Sequence, residues 1–164
     1  MDRNWKEECT SPARQPSQPS TPELHIVPRR PTPEPKSVDE APLRVLLVED
    51  SALLVQRIAE LVGDLPDVVI AATAGSEAEA LALLANGNID AVILDLQLHA
   101  GSGFGILRAL GRQSSRPQVV VFTNFAIAAY RDTALALGAS YFLDKSRDYE
   151  RLPSVLQAMS ETRH

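Results

Sequence analysis

The sequence predicts an α/β domain, a five-stranded parallel sheet with helices on both faces, carried behind an N-terminal extension of different character. Two observations predict it. From Leu43 onward, apolar runs of strand length alternate five times with stretches whose apolar residues recur at helical spacing. The runs are also continuous and rich in Val, Ile and Leu, which is the pattern of strands covered on both faces. A hydrophobic content of 45% over 164 residues is enough to build one such core.

The extension comes first in the chain. Nine of the twelve prolines fall in residues 1–42, and Ser, Thr, Gln and charged residues fill most of the gaps. Such a segment buries too little apolar surface to offset its ordering entropy, so residues 1–42 are expected to be a disordered, Pro-rich extension. Leu24-His25-Ile26-Val27 is its one apolar cluster, and Trp5 and Cys9 stand in polar surroundings. A single cysteine excludes an intrachain disulfide and a cysteine-based metal cluster.

Residues 43–160 are expected to hold the folded domain. Val45-Leu46-Leu47-Val48 reads as the first strand, ending in Glu49-Asp50. Ser51 caps a helix with Leu54, Ile58, Leu61 and Val62 on one face, closed by Gly63 and Pro66. Val68–Ala72 reads as the second strand. Ser76 and Glu79 form a capping box for a helix using Ala80, Leu81, Leu83 and Leu84, which Asn86-Gly87-Asn88 stops. Ala91–Asp95 is the third strand, followed by a Gly-rich turn and a helix over about Gly103–Gly111 with Phe104, Leu107 and Leu110 inward. Pro117 precedes a fourth strand, Val119–Phe122, ending at Thr123. An Ala-rich helix runs Ala126–Leu137 and Gly138 ends it. Tyr141–Leu143 is the fifth strand, followed by Asp144 and Lys145. The last helix spans Tyr149–Met159, with Pro153 early in it, where proline is tolerated.

In a parallel sheet the residues just past the strands share one edge, and ligand chemistry in open α/β sheets sits there. That edge collects Glu49 and Asp50, Asp95, Thr123 and Lys145. Each alone is ordinary, as a turn carboxylate, a strand-end hydroxyl or a solvated ammonium; five together call for a common cause. Three carboxylates repel and call for a cation, and an all-oxygen set suits Mg²⁺. Lys145 is the sole lysine after Lys36, and with the Thr123 hydroxyl it suits an anionic oxygen group. A carboxylate nucleophile, a hard cation, a lysine and a hydroxyl describe phosphoryl transfer onto Asp95.

On these residues the chain resembles the receiver domain of two-component response regulators. Val48-Glu49-Asp50-Ser51, Ile93-Leu94-Asp95-Leu96, Phe122-Thr123 and Leu143-Asp144-Lys145-Ser146 match that family's segments in order, over about Leu43 to Met159. The resemblance implies the (βα)5 flavodoxin-like receiver fold and phosphorylation of Asp95 by a histidine kinase or phosphotransfer protein. It implies that Glu49, Asp50 and Asp95 bind Mg²⁺ together with the backbone carbonyl of Gln97. Thr123 would contact the phosphoryl group, and Phe142 takes the place of the family's switching aromatic. The chain departs from the family pattern in three places. His99 stands where proline is usual, Ser146 stands where proline often follows the lysine, and Asn124 replaces a small residue. As a lone loop histidine, His99 is expected to face solvent.

The function expected is a phosphoacceptor signalling domain rather than an enzyme, with only Mg²⁺-dependent self-phosphorylation and autodephosphorylation. No output domain follows, so the signal is expected to pass through protein–protein contact. The partner, or a second copy in a phosphorylation-dependent homodimer, would meet the face over residues 126–159, with Tyr130, Arg131, Arg147 and Tyr149 on its surface. A net charge of −5 argues against a nucleic-acid partner. The absence of a long apolar run argues against a membrane span and for a cytoplasmic location. A haloacid dehalogenase-type phosphohydrolase would need a second Asp where Gln97 stands. A flavodoxin-like cofactor protein would need a phosphate loop after Val48, which the sequence lacks. A phosphate-independent interaction module usually lacks one of the carboxylates or the lysine, and all are present here.

Overall fold

The computed structural model describes residues 41–163. The expectations for Leu24–Val27, Trp5, Cys9 and nearly all of the extension lie outside the described residues. The strands are β1 (Leu43–Val48), β2 (Val68–Ala74), β3 (Ala91–Leu94), β4 (Gln118–Thr123) and β5 (Tyr141–Asp144). The helices are α1 (Ala52–Gly63), α2 (Glu77–Ala85), α3 (Gly103–Leu110), α4 (Ala128–Ala136) and α5 (Leu152–Glu161). All five strands are parallel in the order β2-β1-β3-β4-β5.

Successive side chains of a strand point to opposite faces, and the sheet divides its apolar residues accordingly. Val45, Leu47, Ile93, Val120 and Phe122 pack with Ile58 and Val62 of α1 and Leu152, Leu156 and Met159 of α5. Leu46, Val48, Val92, Leu94 and Val121 pack with Ala80 and Leu84 of α2, Ile106, Leu107 and Leu110 of α3, and Ala134 of α4. Both faces of β1 are therefore dry, which explains the unbroken apolar run. Each fully buried Leu or Ile contributes about 1.5–3 kcal/mol relative to an exposed one.

Three helices start on serine caps. The Ser51 and Ser102 hydroxyl oxygens accept the N–H groups of Leu54 and Phe104. The Ser76 hydroxyl accepts the N–H of Glu79, and the Glu79 carboxylate reaches back to the N–H of Gly75 rather than Ser76. Helix α4 is shorter than expected at both ends. Its N-cap position is Ile127, which makes no side-chain cap bond, so nothing holds Ala126 and Ile127 in the helix. Gly138 leaves the helix at φ +102°, as its position suggested. The last helix also starts later than expected. Tyr149–Arg151 form a separate 3₁₀ turn, and Pro153 falls in the first turn of α5, where its missing N–H costs nothing. Strand β2 extends to Ala74 because it stays paired with Val48 at the end of β1.

Two tyrosines expected on the surface are half-buried instead. The Tyr130 ring meets Phe104 of α3 edge-on at 5.5 Å, and Tyr149 packs against Phe122 at 5.9 Å. Each ring carries more apolar area than an exposed position would leave uncovered. Among the described residues no helix is long and apolar enough to cross a membrane.

Candidate functional site

The strand order makes β1 and β3 central neighbours, with β4 and β5 beside them, so their C-terminal ends converge. The hydrogen-bond ladder continues past the strands and fixes the first residues beyond each. The Glu49 N–H donates to Ala74 O, the Asp95 N–H to Val48 O, and the Lys145 N–H to Thr123 O. Glu49, Asp50, Asp95 and Lys145 thereby line one open cleft of about 350 Å³, rimmed by Leu54, Gln97, His99, Asn124 and Phe125.

Lys145 is the centre of this cleft. Its Nζ donates to Asp95 Oδ2 at 2.7 Å and to Glu49 Oε2. All three side chains are at most 10% exposed. Removing one partner of a buried pair leaves an uncompensated charge, which costs about 3–5 kcal/mol. The remaining oxygens are also held: Glu49 Oε1 accepts the N–H of Ser51, and Asp95 Oδ1 accepts that of Gln97 at 3.2 Å. Among the described residues no buried polar side-chain atom lacks a partner.

Asp50 stands apart from the lysine. Its Oδ2 accepts the backbone N–H of His99 at 2.7 Å and is bonded to Nδ1 of the same residue. Partial burial pushes the Asp50 carboxyl up, but the two His99 bonds and the nearby imidazole outweigh it and hold the group below its ordinary value. His99 is exposed, as expected for a loop histidine, yet it is partnered rather than free.

The expected cation trio is therefore drawn differently. Among the described residues no three His, Cys, Asp or Glu side chains converge as a ligand group. Lys145 takes up Glu49 and Asp95, and His99 takes up Asp50. Formally, one ammonium faces three carboxylates, which leaves two negative charges in the cleft. Hard carboxylate and carbonyl oxygens around that excess fit Mg²⁺ in chemistry.

Thr123 and Phe142 lie beside the cleft rather than in its lining. Thr123 is fully buried and its Oγ1 accepts the N–H of Phe125. The half-buried Phe142 ring has the Arg131 guanidinium of α4 over it, 5.2 Å from the centroid.

Sequence reasoning did not pick out Glu77 or Asp148, and it named Asp144 without giving it a role; these groups frame the residues above. Glu77, the first residue of α2, accepts the N–H of Ser102 at 2.8 Å, and its own N–H donates to Ala100 O, tying down the loop after β3. The signal was the spacing Gly101, Gly103, Gly105. A side chain at Gly101 or Gly105 would collide with Glu77, and one at Gly103 would sit 2.3 Å from Asp95 O. Asp144 and Asp148 frame Lys145. Asp144 accepts both the N–H and the hydroxyl of Ser146, and Asp148 accepts the N–H of Asp144. Those bonds hold both carboxyls below their ordinary values.

The family model "Response regulator receiver domain" matches residues 45–157. The nitrate/nitrite response regulator protein NarP of Escherichia coli K12 is 28% identical over 120 residues, covering 73% of this chain and 56% of that protein. A protein-glutamate methylesterase/protein-glutamine glutaminase of Treponema denticola is 34% identical over 122 residues, covering 73% of this chain and 32% of that protein. The chain thus spans between about a third and about half of the length of these relatives. Among solved structures, a two-component response regulator of the LuxR family from Aurantimonas sp. SI85-9A1 superposes with a TM-score of 0.69 at 25% identity, covering 76% of this chain and 89% of that one. The response regulator domain of Thermotoga maritima CheB superposes with a TM-score of 0.65 at 21% identity, covering 74% and 96%. The second likeness bears on fold alone. With the family model covering well over half of the sequence, this chain belongs to the response regulator receiver domains, the signalling domains of two-component systems.

Proposed function

We propose that Asp95 accepts a phosphoryl group from a histidine kinase or phosphotransfer protein. The observation that carries this reading is the buried pairing of Asp95 with Lys145 inside a cleft that retains negative charge. In the transfer, an Asp95 carboxylate oxygen bonds to phosphorus as the bond from phosphorus to the donor's imidazole nitrogen breaks. Lys145, already 2.7 Å from Asp95, offsets the charge of the incoming oxygens. The Thr123 hydroxyl donates to one of them. Glu49, Asp50, Asp95 and the Gln97 carbonyl would hold Mg²⁺, which supplies charge neutralisation on the phosphoryl oxygens when bound. Both Glu49 oxygens already have donors, so besides holding the cation Glu49 would orient Lys145 and the Ser51 backbone. The output would be a changed α4–β5–α5 face, altered most at α4 and Phe142, presented to a protein partner or a second copy.

Incubation with Mg²⁺ and acetyl phosphate should give one base-labile adduct on Asp95, read by mass spectrometry. Asp95→Asn should abolish it while leaving the fold intact. Undiminished labelling of that variant would sink the assignment.

A further inference from the structure

We propose that His99 competes with a divalent cation for Asp50 and so sets how readily the acidic cleft takes up its ion; this rests on the cation reading above. Two donors of one residue converge on one carboxylate oxygen, the backbone N–H at 2.7 Å and the ring Nδ1. The contact spans 49 residues of sequence and joins the end of β1 to the loop after β3 across the mouth of the cleft. Among the described residues the imidazole makes no other hydrogen bond, and the side chain is 90% exposed, so Asp50 alone fixes the ring.

The consequence rests on lone pairs and charge. Glu49 and Asp95 are held by Lys145, which leaves Asp50 as the one cleft carboxylate without the lysine. Both donors sit on Oδ2, so a cation that takes that oxygen must displace at least one of them, and the positive density they place on the carboxylate weakens a cation bound through Oδ1 as well. Nδ1 can donate from the neutral ring or the charged one, so the competition does not depend on the ring's charge. A proline at this position would have neither the N–H nor the imidazole, and both bonds would be absent. Substitutions at position 99 therefore remove the competitor in steps. His99→Ala deletes the ring and keeps the N–H, and His99→Pro deletes both.

The test is a titration of the full chain with Mg²⁺ alone, without phosphodonor, followed by calorimetry and by amide NMR shifts near Asp95. His99→Ala should bind Mg²⁺ about three- to tenfold more tightly than the parent chain, the equivalent of one ordinary net hydrogen bond, since the exposed ring's bond is weakened by solvent. His99→Pro should bind at least as tightly as His99→Ala. Thermal unfolding of each variant checks that the fold is kept. Equal or weaker Mg²⁺ binding by His99→Ala overturns the proposal. If neither parent nor variants bind Mg²⁺, the cation reading itself fails and takes this inference with it, an outcome distinct from equal binding.

Discussion

Helices α4 and α5 cover opposite faces of the sheet beside the edge strand β5, and they are held very differently. Helix α5 buries Leu152, Val155, Leu156 and Met159, three of them completely. Helix α4 buries only Ala134, starts without a side-chain cap, and leaves Ile127 and Leu135 about half exposed. A helix in a protein is stabilised mostly by its packed face, so α5 is anchored and α4 is tethered. The difference gives the two faces different mechanical roles: α5 holds the sheet together, and α4, on the function proposed above, would be the one able to respond to phosphorylation of Asp95.

The largest expected effect breaks the anchored side. Leu156→Ala removes a fully buried side chain from the α5 layer and should cost about 2–5 kcal/mol in urea unfolding. Leu135→Ala, on the exposed side of α4, should stay within about 0.5 kcal/mol of the parent chain. Equal losses would mean that α4 is as firmly packed as α5.

Much of this contrast was legible in the sequence. The strands showed as unbroken apolar runs because the sheet is dry on both faces, and Val155, Leu156 and Met159 marked a wide apolar stripe. The true start of α4 was not legible, since an Ala-rich stretch has high helix propensity whether or not a cap exists at Ile127. At the cleft, strand ends predicted which residues would gather, but not how they would pair. Lys145 lies 96 residues from Glu49, and His99 lies 49 from Asp50. Such partners are chosen by side-chain reach across the folded edge, which no local pattern encodes. Glu77 was hidden for the same reason, with only its glycine neighbours as a trace.

A smaller effect sharpens the comparison at the turn that leads into α5. Asp144 and Asp148 accept the hydrogen bonds that shape this turn, and both are held below the ordinary carboxylate value of 3.8. A depressed folded-state value contributes stability above the unfolded value and loses it as pH falls through the folded one. Urea midpoints should therefore drop as pH is lowered from about 5 to about 2.5, and Asp148→Asn should lose less over that range than the parent chain. An identical pH profile for the variant would mean that Asp148 contributes nothing to the acid sensitivity.

The contrast between the two helices predicts that phosphorylation at Asp95 is read out through α4 more than through α5. The route is short. The Thr123 hydroxyl that would meet the phosphoryl group also accepts the Phe125 N–H, two residues before the α4 cap. Movement of Thr123 pulls on that bond and opens space behind it for Phe142. The ring would then leave Arg131 of α4, giving up about 0.5–1 kcal/mol of cation–π attraction. That is small beside the few kcal/mol of differential stabilisation that shifts a two-state population. Backbone amide NMR shifts, recorded with and without Mg²⁺ and the phosphoryl mimic beryllofluoride, read this directly. Large changes are expected over Thr123 to Leu137 and at Phe142, with Leu152 to Met159 changing far less. Changes confined to the loops around Asp95, or equal in α4 and α5, would contradict a readout through α4.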